Sequence, residues 1–141
     1  MGTWGHGNFE NDSALDWVGD FEEKPHKAFL EKSIRAVITP NYIDAHDASI
    51  TLAALEVVAW ANGKPAKDFP NLNISLKPGD LRPEFDKDFY ATCNKAVDTV
   101  MRPTNNEIME LWEESGELDE WRKVLEDLRK RIQDGVGPVA G

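Results

Sequence analysis

A chain of 141 residues, 40% of them hydrophobic and five of them tryptophan, is long enough for one packed domain that buries roughly 68% of its unfolded surface. Its single cysteine, Cys93, excludes an internal disulfide, and no Cys/His cluster offers a zinc site of familiar spacing. A net charge of −10 repels phosphate backbones, which argues against nucleic-acid binding and favours a cationic partner.

Apolar residues recur at three- and four-residue steps along most of the chain, so the predicted fold class is all-α. A first helix is expected over Ser13–Glu23, with Ala14, Leu15, Trp17, Val18 and Phe21 on its apolar stripe. A second begins at Pro25, stacks Phe29, Leu30, Ile34, Val37 and Ile38, and stops before Pro40. The third, Asp44–Asn62, is apolar most of the way round and is therefore expected at the centre of the domain. Gly63 ends it.

Residues 64–82 carry three prolines and one glycine and read as one long connecting loop. The alternation over Leu72–Leu76 predicts a short extended piece there. Further helices are expected over Glu84–Arg102, Asn105–Ser115 and Glu117–Asp134, the last with a stripe of Leu118, Trp121, Leu125, Leu128 and Ile132. Residues 135–141 read as a flexible tail. The expectation is a single domain over 1–141: about six helices packed around the third, with a glycine-rich N-terminal segment.

That segment, M-G-T-W-G-H-G-N-F-E-N-D, alternates Gly2, Gly5 and Gly7 with bulky or polar residues and then runs into helix-capping side chains. Its glycines suit tight turns that let Trp4 and Phe9 tuck into the helical body. On Gly2, Thr3, Trp4, Gly5, Gly7, Phe9, Asn11, Asp12, Ala14 and Asp16 the chain resembles a small bacterial family, domain of unknown function 4259. The likeness continues more weakly through Tyr42–Asp47, Ala53–Ala59 and Glu107–Glu114. The resemblance implies an identity and no mechanism.

Three pairs share one spacing: Ser13 with Asp16, Asp44 with Asp47, and Thr104 with Glu107. In each, an oxygen-bearing residue precedes a helix and an acid follows three positions on, which suits capping of the helix start. The rival reading is a carboxylate site for a hard cation at Asp12 and Asp16. His26, the His46–Asp47 pair and Asp98 also occur in the order used by His-Asp metal-dependent phosphohydrolases, where a metal-bound hydroxide attacks phosphate. Cys93, on an apolar helical face, reads as core rather than nucleophile.

The charge is unevenly spread, with −6 over residues 1–63, +1 over 64–103 and −5 over 104–141. No Lys or Arg falls between Arg102 and Arg122, a stretch that holds Glu107, Glu110, Glu113, Glu114, Glu117, Asp119 and Glu120. With no phosphate loop or nucleophile–base pair in evidence, no metal and no cofactor are expected. The preferred reading is a non-enzymatic protein-binding module, of immunity or antitoxin type, holding a basic protein on these acids. A His-Asp phosphohydrolase and a structural or oligomeric domain are the alternatives. No charged-then-apolar leader and no apolar run of roughly 18 residues is present, so the expected compartment is the cytoplasm, without membrane association.

Overall fold

The computed structural model describes residues 7–136. Among them run seven α-helices: α1 (Asp12–Glu23), α2 (Lys27–Arg35), α3 (Ala45–Ala61), α4 (Pro78–Leu81), α5 (Lys87–Val100), α6 (Glu107–Ser115) and α7 (Leu118–Val136), with a 3-10 turn at Arg82–Glu84 before α5. The fold class is all-α. The described residues form no strand, only an isolated parallel bridge between Ile43 and Asn106.

The helix α3 touches each of the other six. Residues Leu52–Ala59 are all buried, and three of them are alanines, whose small side chains let neighbouring helices approach closely. Around it, α1 contributes Trp17 and Phe21, α2 Leu30 and Ile34, α5 Phe89, Cys93 and Val97, and α7 Trp121, Leu125, Leu128 and Ile132. The stripe predicted for the last helix is thus the face that α7 buries, with Leu118 half-buried at its start. In the stripe predicted for the first helix, Leu15 is instead 42% exposed, because α1 docks through Ala14, Trp17, Val18 and Phe21.

A polar stitch fixes the α1–α2–α3 register. The Trp17 indole N–H donates to Ser33 Oγ at 2.8 Å, Ser33 Oγ donates to Phe29 O at 3.0 Å, and Thr51 Oγ1 donates to Ser33 O at 2.8 Å. Each buried polar group is thereby satisfied, which matters because an unsatisfied one costs about 1–3 kcal/mol.

Several boundaries differ from expectation, each for a local reason. The first helix starts at Asp12, capped by Asn11, whose Oδ1 accepts the Ala14 N–H at 2.8 Å, so Ser13 is not its cap. The helix α2 ends at Arg35, and turns carry Ala36–Ile38 onward, short of the extent predicted toward Pro40. The helix α5 starts at Lys87 rather than Glu84, because Asp86 Oδ1 accepts the Phe89 N–H at 2.8 Å. Asn106, not Thr104, caps α6; its Oδ1 accepts the Met109 N–H while its Nδ2 donates to Val100 O and Arg102 O. The predicted Asp44 cap is present and accepts the Asp47 N–H at 2.7 Å.

The predicted loop 64–82 contains α4, opened by Pro78 and held by the Lys77 N–H to Asp80 Oδ2 at 2.8 Å. Within the same loop, Leu72, Ile74 and Leu76 are half-buried against the core while Asn71, Asn73 and Ser75 are exposed. The period-two pattern is real, yet it lies on helices with no partner strand. Gly63 and Gly116 end α3 and α6 in the left-handed region, at φ 83° and 78°. The helix α7 runs to Val136, two residues past its predicted end at Asp134. Gly2, Thr3, Trp4 and Gly5 lie outside the described residues, and with them the expected Trp4 anchor; Phe9 is buried.

Candidate functional site

One acid interrupts the apolar run of α3. Glu56 is 1% exposed, and a lone buried carboxylate is affordable only if donors surround it. They do. Arg131 of α7 grips it with both terminal nitrogens, Nη1 to Oε1 at 2.7 Å and Nη2 to Oε2 at 3.0 Å, and Asn8 Nδ2 donates to Oε2 at 2.7 Å. Arg131 also donates from Nε to Asp127 Oδ2 at 2.8 Å and from Nη1 to Lys64 O at 3.0 Å. Its guanidinium pKa is raised: burial alone would lower it, but the hydrogen bonds and charges of Glu56 and Asp127 outweigh that. With both oxygens engaged, Glu56 offers nothing to a substrate.

What this centre positions is the N-terminal segment. Asn8 ties the segment to Glu56, the Phe9 N–H donates to Asp68 Oδ2 at 3.2 Å, and Gly7 N–H donates to Glu10 Oε1 at 3.1 Å. A Cβ at position 7 would press on the carboxylate ends of Asp68 and Glu10, the acceptors of the Phe9 and Gly7 N–H groups, so a side chain there would have to displace both. Gly7 is thus a close-approach glycine. Phe9 then packs edge-on against Phe69 at 5.3 Å.

The predicted acidic face resolves into two classes of carboxylate. Glu107 leaves its own helix to cap another: its Oε1 accepts the Ala45 N–H of α3 at 2.7 Å. This crossing is held by the Ile43–Asn106 bridge, in which Ile43 N–H donates to Asn105 O at 2.9 Å and Glu107 N–H to Ile43 O at 2.8 Å. Glu110 accepts the Tyr42 hydroxyl at 3.3 Å. That phenol's pKa is raised, first by desolvation and then by the charges of Glu110, Glu107 and Asp44. Beyond these, Glu113, Glu114, Glu117, Asp119 and Glu120 are exposed. No described cation pairs with Glu113, Glu114, Asp119 or Glu120, whereas Glu31, Glu56, Asp98 and Asp127 each meet an arginine.

The residues read as possible metal ligands are placed separately. His26 is the exposed N-cap residue of α2 and makes no side-chain cap bond. His46 Nδ1 lies 2.9 Å from Ser13 Oγ, and Asp98 pairs with Arg129 across α5 and α7. Asp47 has a raised pKa, from desolvation first and the neighbouring Asp44 charge second. Asp12 and Asp16 are exposed on α1. Among the described residues no three of His, Cys, Asp and Glu converge as a metal site would require. Burial pushes the Cys93 thiol up to about 12, so at neutral pH it carries no thiolate.

The family model for a domain of unknown function, DUF4259, matches residues 2–124. The chain belongs to this family. No curated protein and no solved structure matches it. The DUF4259 match takes in Asn8, Glu56, Asp68 and the whole acidic stretch, and it ends within α7 before Asp127 and Arg131. The grip on Glu56 therefore comes from beyond the matched span. Sequence reasoning missed Asn8, Glu56 and Arg131 as a unit. A signal existed for one of them, since Glu56 is the only acid between Asp47 and Asp68, in a helix otherwise apolar.

No helix among the described residues is long and apolar enough to cross a membrane.

Proposed function

We propose that this protein is a non-enzymatic, cytoplasmic protein-binding module that receives a cationic partner protein on the acids of α6 and the start of α7. One observation carries the reading: Glu113 and Glu114 stand in the last turn of α6, which contains no basic residue. A helix C-terminus bears a partial negative charge, so acids there are disfavoured by about 0.3–1 kcal/mol each. Glu114 also lies one helical turn from Glu110, a like-charge pair that costs a few tenths of a kcal/mol more. Solubility would be served as well by acids at positions that carry no such cost. Acids retained at a cost to the fold are explained by a cation that arrives from outside.

The direct test is capture of basic proteins from the native host by the parent protein and by a Glu113→Lys, Glu114→Lys, Glu120→Lys variant. A partner lost by the variant, and lost by the parent as salt is raised, supports the proposal. Equal recovery of the same partner at every salt concentration overturns it.

A further inference from the structure

Residues 7–10 lie ahead of α1 and close a turn of their own. The Glu10 N–H donates to Gly7 O at 3.0 Å, and the Gly7 N–H donates to Glu10 Oε1 at 3.1 Å. Both bonds travel with the turn wherever it goes. Among the described residues, its polar ties to the rest of the molecule are Asn8 Nδ2 to Glu56 Oε2 at 2.7 Å, the Phe9 N–H to Asp68 Oδ2 at 3.2 Å, and Asn11 Nδ2 to Asn8 O, a long bond of 3.4 Å at the junction with α1. Its apolar side chain is Phe9, buried and edge-on to Phe69.

The helical body keeps its own bonds if this turn lifts away. Glu56 still holds both terminal nitrogens of Arg131, so no buried charge is stranded. Arg131 keeps Asp127 and Lys64 O as well. The start of α1 stays capped, because Asn11 Oδ1 accepts the Ala14 N–H on the helix side of the junction. Asp68 is half-buried, so its carboxylate meets water once the Phe9 N–H has left. Phe69 loses the edge contact with Phe9 but retains its stack on Trp60, with centroids 5.7 Å apart and planes 10° from parallel.

We propose that residues 7–10 are a strap that opens as one unit, hinged at Asn11, while the helices stay folded. A segment whose departure breaks few contacts and strands no buried charge opens at a lower free energy than the whole fold. Closed, the strap covers one oxygen of Glu56 and the edge of Phe69; open, it uncovers both. Asn8 and Phe9 are adjacent in a closed turn, so the two are uncovered together. The strap thus switches the Glu56–Arg131 pair between a sealed and an accessible state.

The test is native-state hydrogen exchange of the full chain, followed by NMR at urea concentrations below the unfolding transition. The Phe9 amide is expected to be at least about tenfold less protected than those of Leu55 and Val57 in the middle of α3. Its urea dependence should also be the smaller, since opening exposes little apolar surface beyond Phe9. Asn8→Ala is expected to lower Phe9 protection by about tenfold more, as for loss of a hydrogen bond to a charged group, and to leave the far-UV helical signal unchanged. A Phe9 amide that shares the protection and urea slope of α3, or that exchanges like an unstructured peptide in the parent, overturns the proposal. So does an Asn8→Ala variant that leaves Phe9 protection unchanged, or one that unfolds, since the helices would then depend on the strap.

Discussion

Glu56 and Glu114 are the same side chain in opposite situations. Glu56 is enclosed by α3, α7 and the N-terminal segment and accepts hydrogen bonds of 2.7, 2.7 and 3.0 Å. Glu114 is exposed, on a helix end that disfavours it, with no described cation as a partner. The first has paid desolvation and recovered it through three donors, so its value lies in holding distant segments in one arrangement. The second keeps its hydration, contributes nothing to packing, and leaves its charge for whatever approaches. Acidity is therefore no single property of this molecule.

The sharpest way to break the comparison is Glu56→Ala. It leaves the Arg131 guanidinium, whose side chain is only 12% exposed, with the Asp127 carboxylate but without the buried one, and it unpairs Asn8. Loss of about 3–5 kcal/mol is expected from urea unfolding, as for other buried pairs deprived of one partner. A loss below about 1 kcal/mol, the range of a surface pair, would show that water reaches the site and that the two carboxylates are not different in kind. Replacing both charges, Glu56→Leu with Arg131→Met, is expected to recover most of the loss. The remaining deficit, about 1–3 kcal/mol, is that of the orphaned Asn8 amide.

The legible parts of this structure are those written in short-range periodicity. The apolar steps of α3 and α7 marked helices because neighbours on a helix face are three and four residues apart in sequence. Capping was legible as chemistry but less so as position. Asn11 and Asn106 took the roles expected of Ser13 and Thr104, since asparagine supplies an acceptor and, at Asn106, two donated bonds to the preceding turn. The piece at Leu72–Leu76 shows the limit of a period. Alternation reports which side chains face the core, and whether a partner strand exists is decided elsewhere. The buried centre was the least legible, because Glu56 and Arg131 are 75 residues apart and Asp68 reaches Phe9 from 59 away. A lone acid in an apolar helix signals that some partner exists without naming it.

Glu107 sharpens the comparison from between its extremes. In sequence it opens the acidic stretch, yet in the fold it satisfies an orphan amide at the start of α3. Glu107→Ala is expected to cost about 1 kcal/mol, the usual value of a side-chain cap, read as a lower urea midpoint with unchanged slope. It should leave association with a basic partner nearly intact compared with the Glu113, Glu114 and Glu120 reversal. A variant that unfolds like the parent but loses the partner would return Glu107 to the recognition face.

The smallest expected effect has the opposite sign. Glu114→Gln removes a charge from the last turn of α6 and relieves its repulsion with Glu110 one turn away, while keeping the length and helix propensity of the side chain. The fold should gain a few tenths of a kcal/mol. Adding salt should shrink that gain, because the Debye length falls to about 3 Å at 1 M ionic strength, shorter than the roughly 5–6 Å between side chains one turn apart. Glu56→Gln, in the same buffers, should destabilise instead, and salt should not rescue it, since screening does not reach a carboxylate that is 1% exposed. Thermal melts of the two variants at low and high salt therefore separate the regions by sign and by salt response together. A Glu114→Gln variant that melts below the parent at low salt would mean that the fold uses this acid. The argument that Glu114 is held for a cation from outside would then fail.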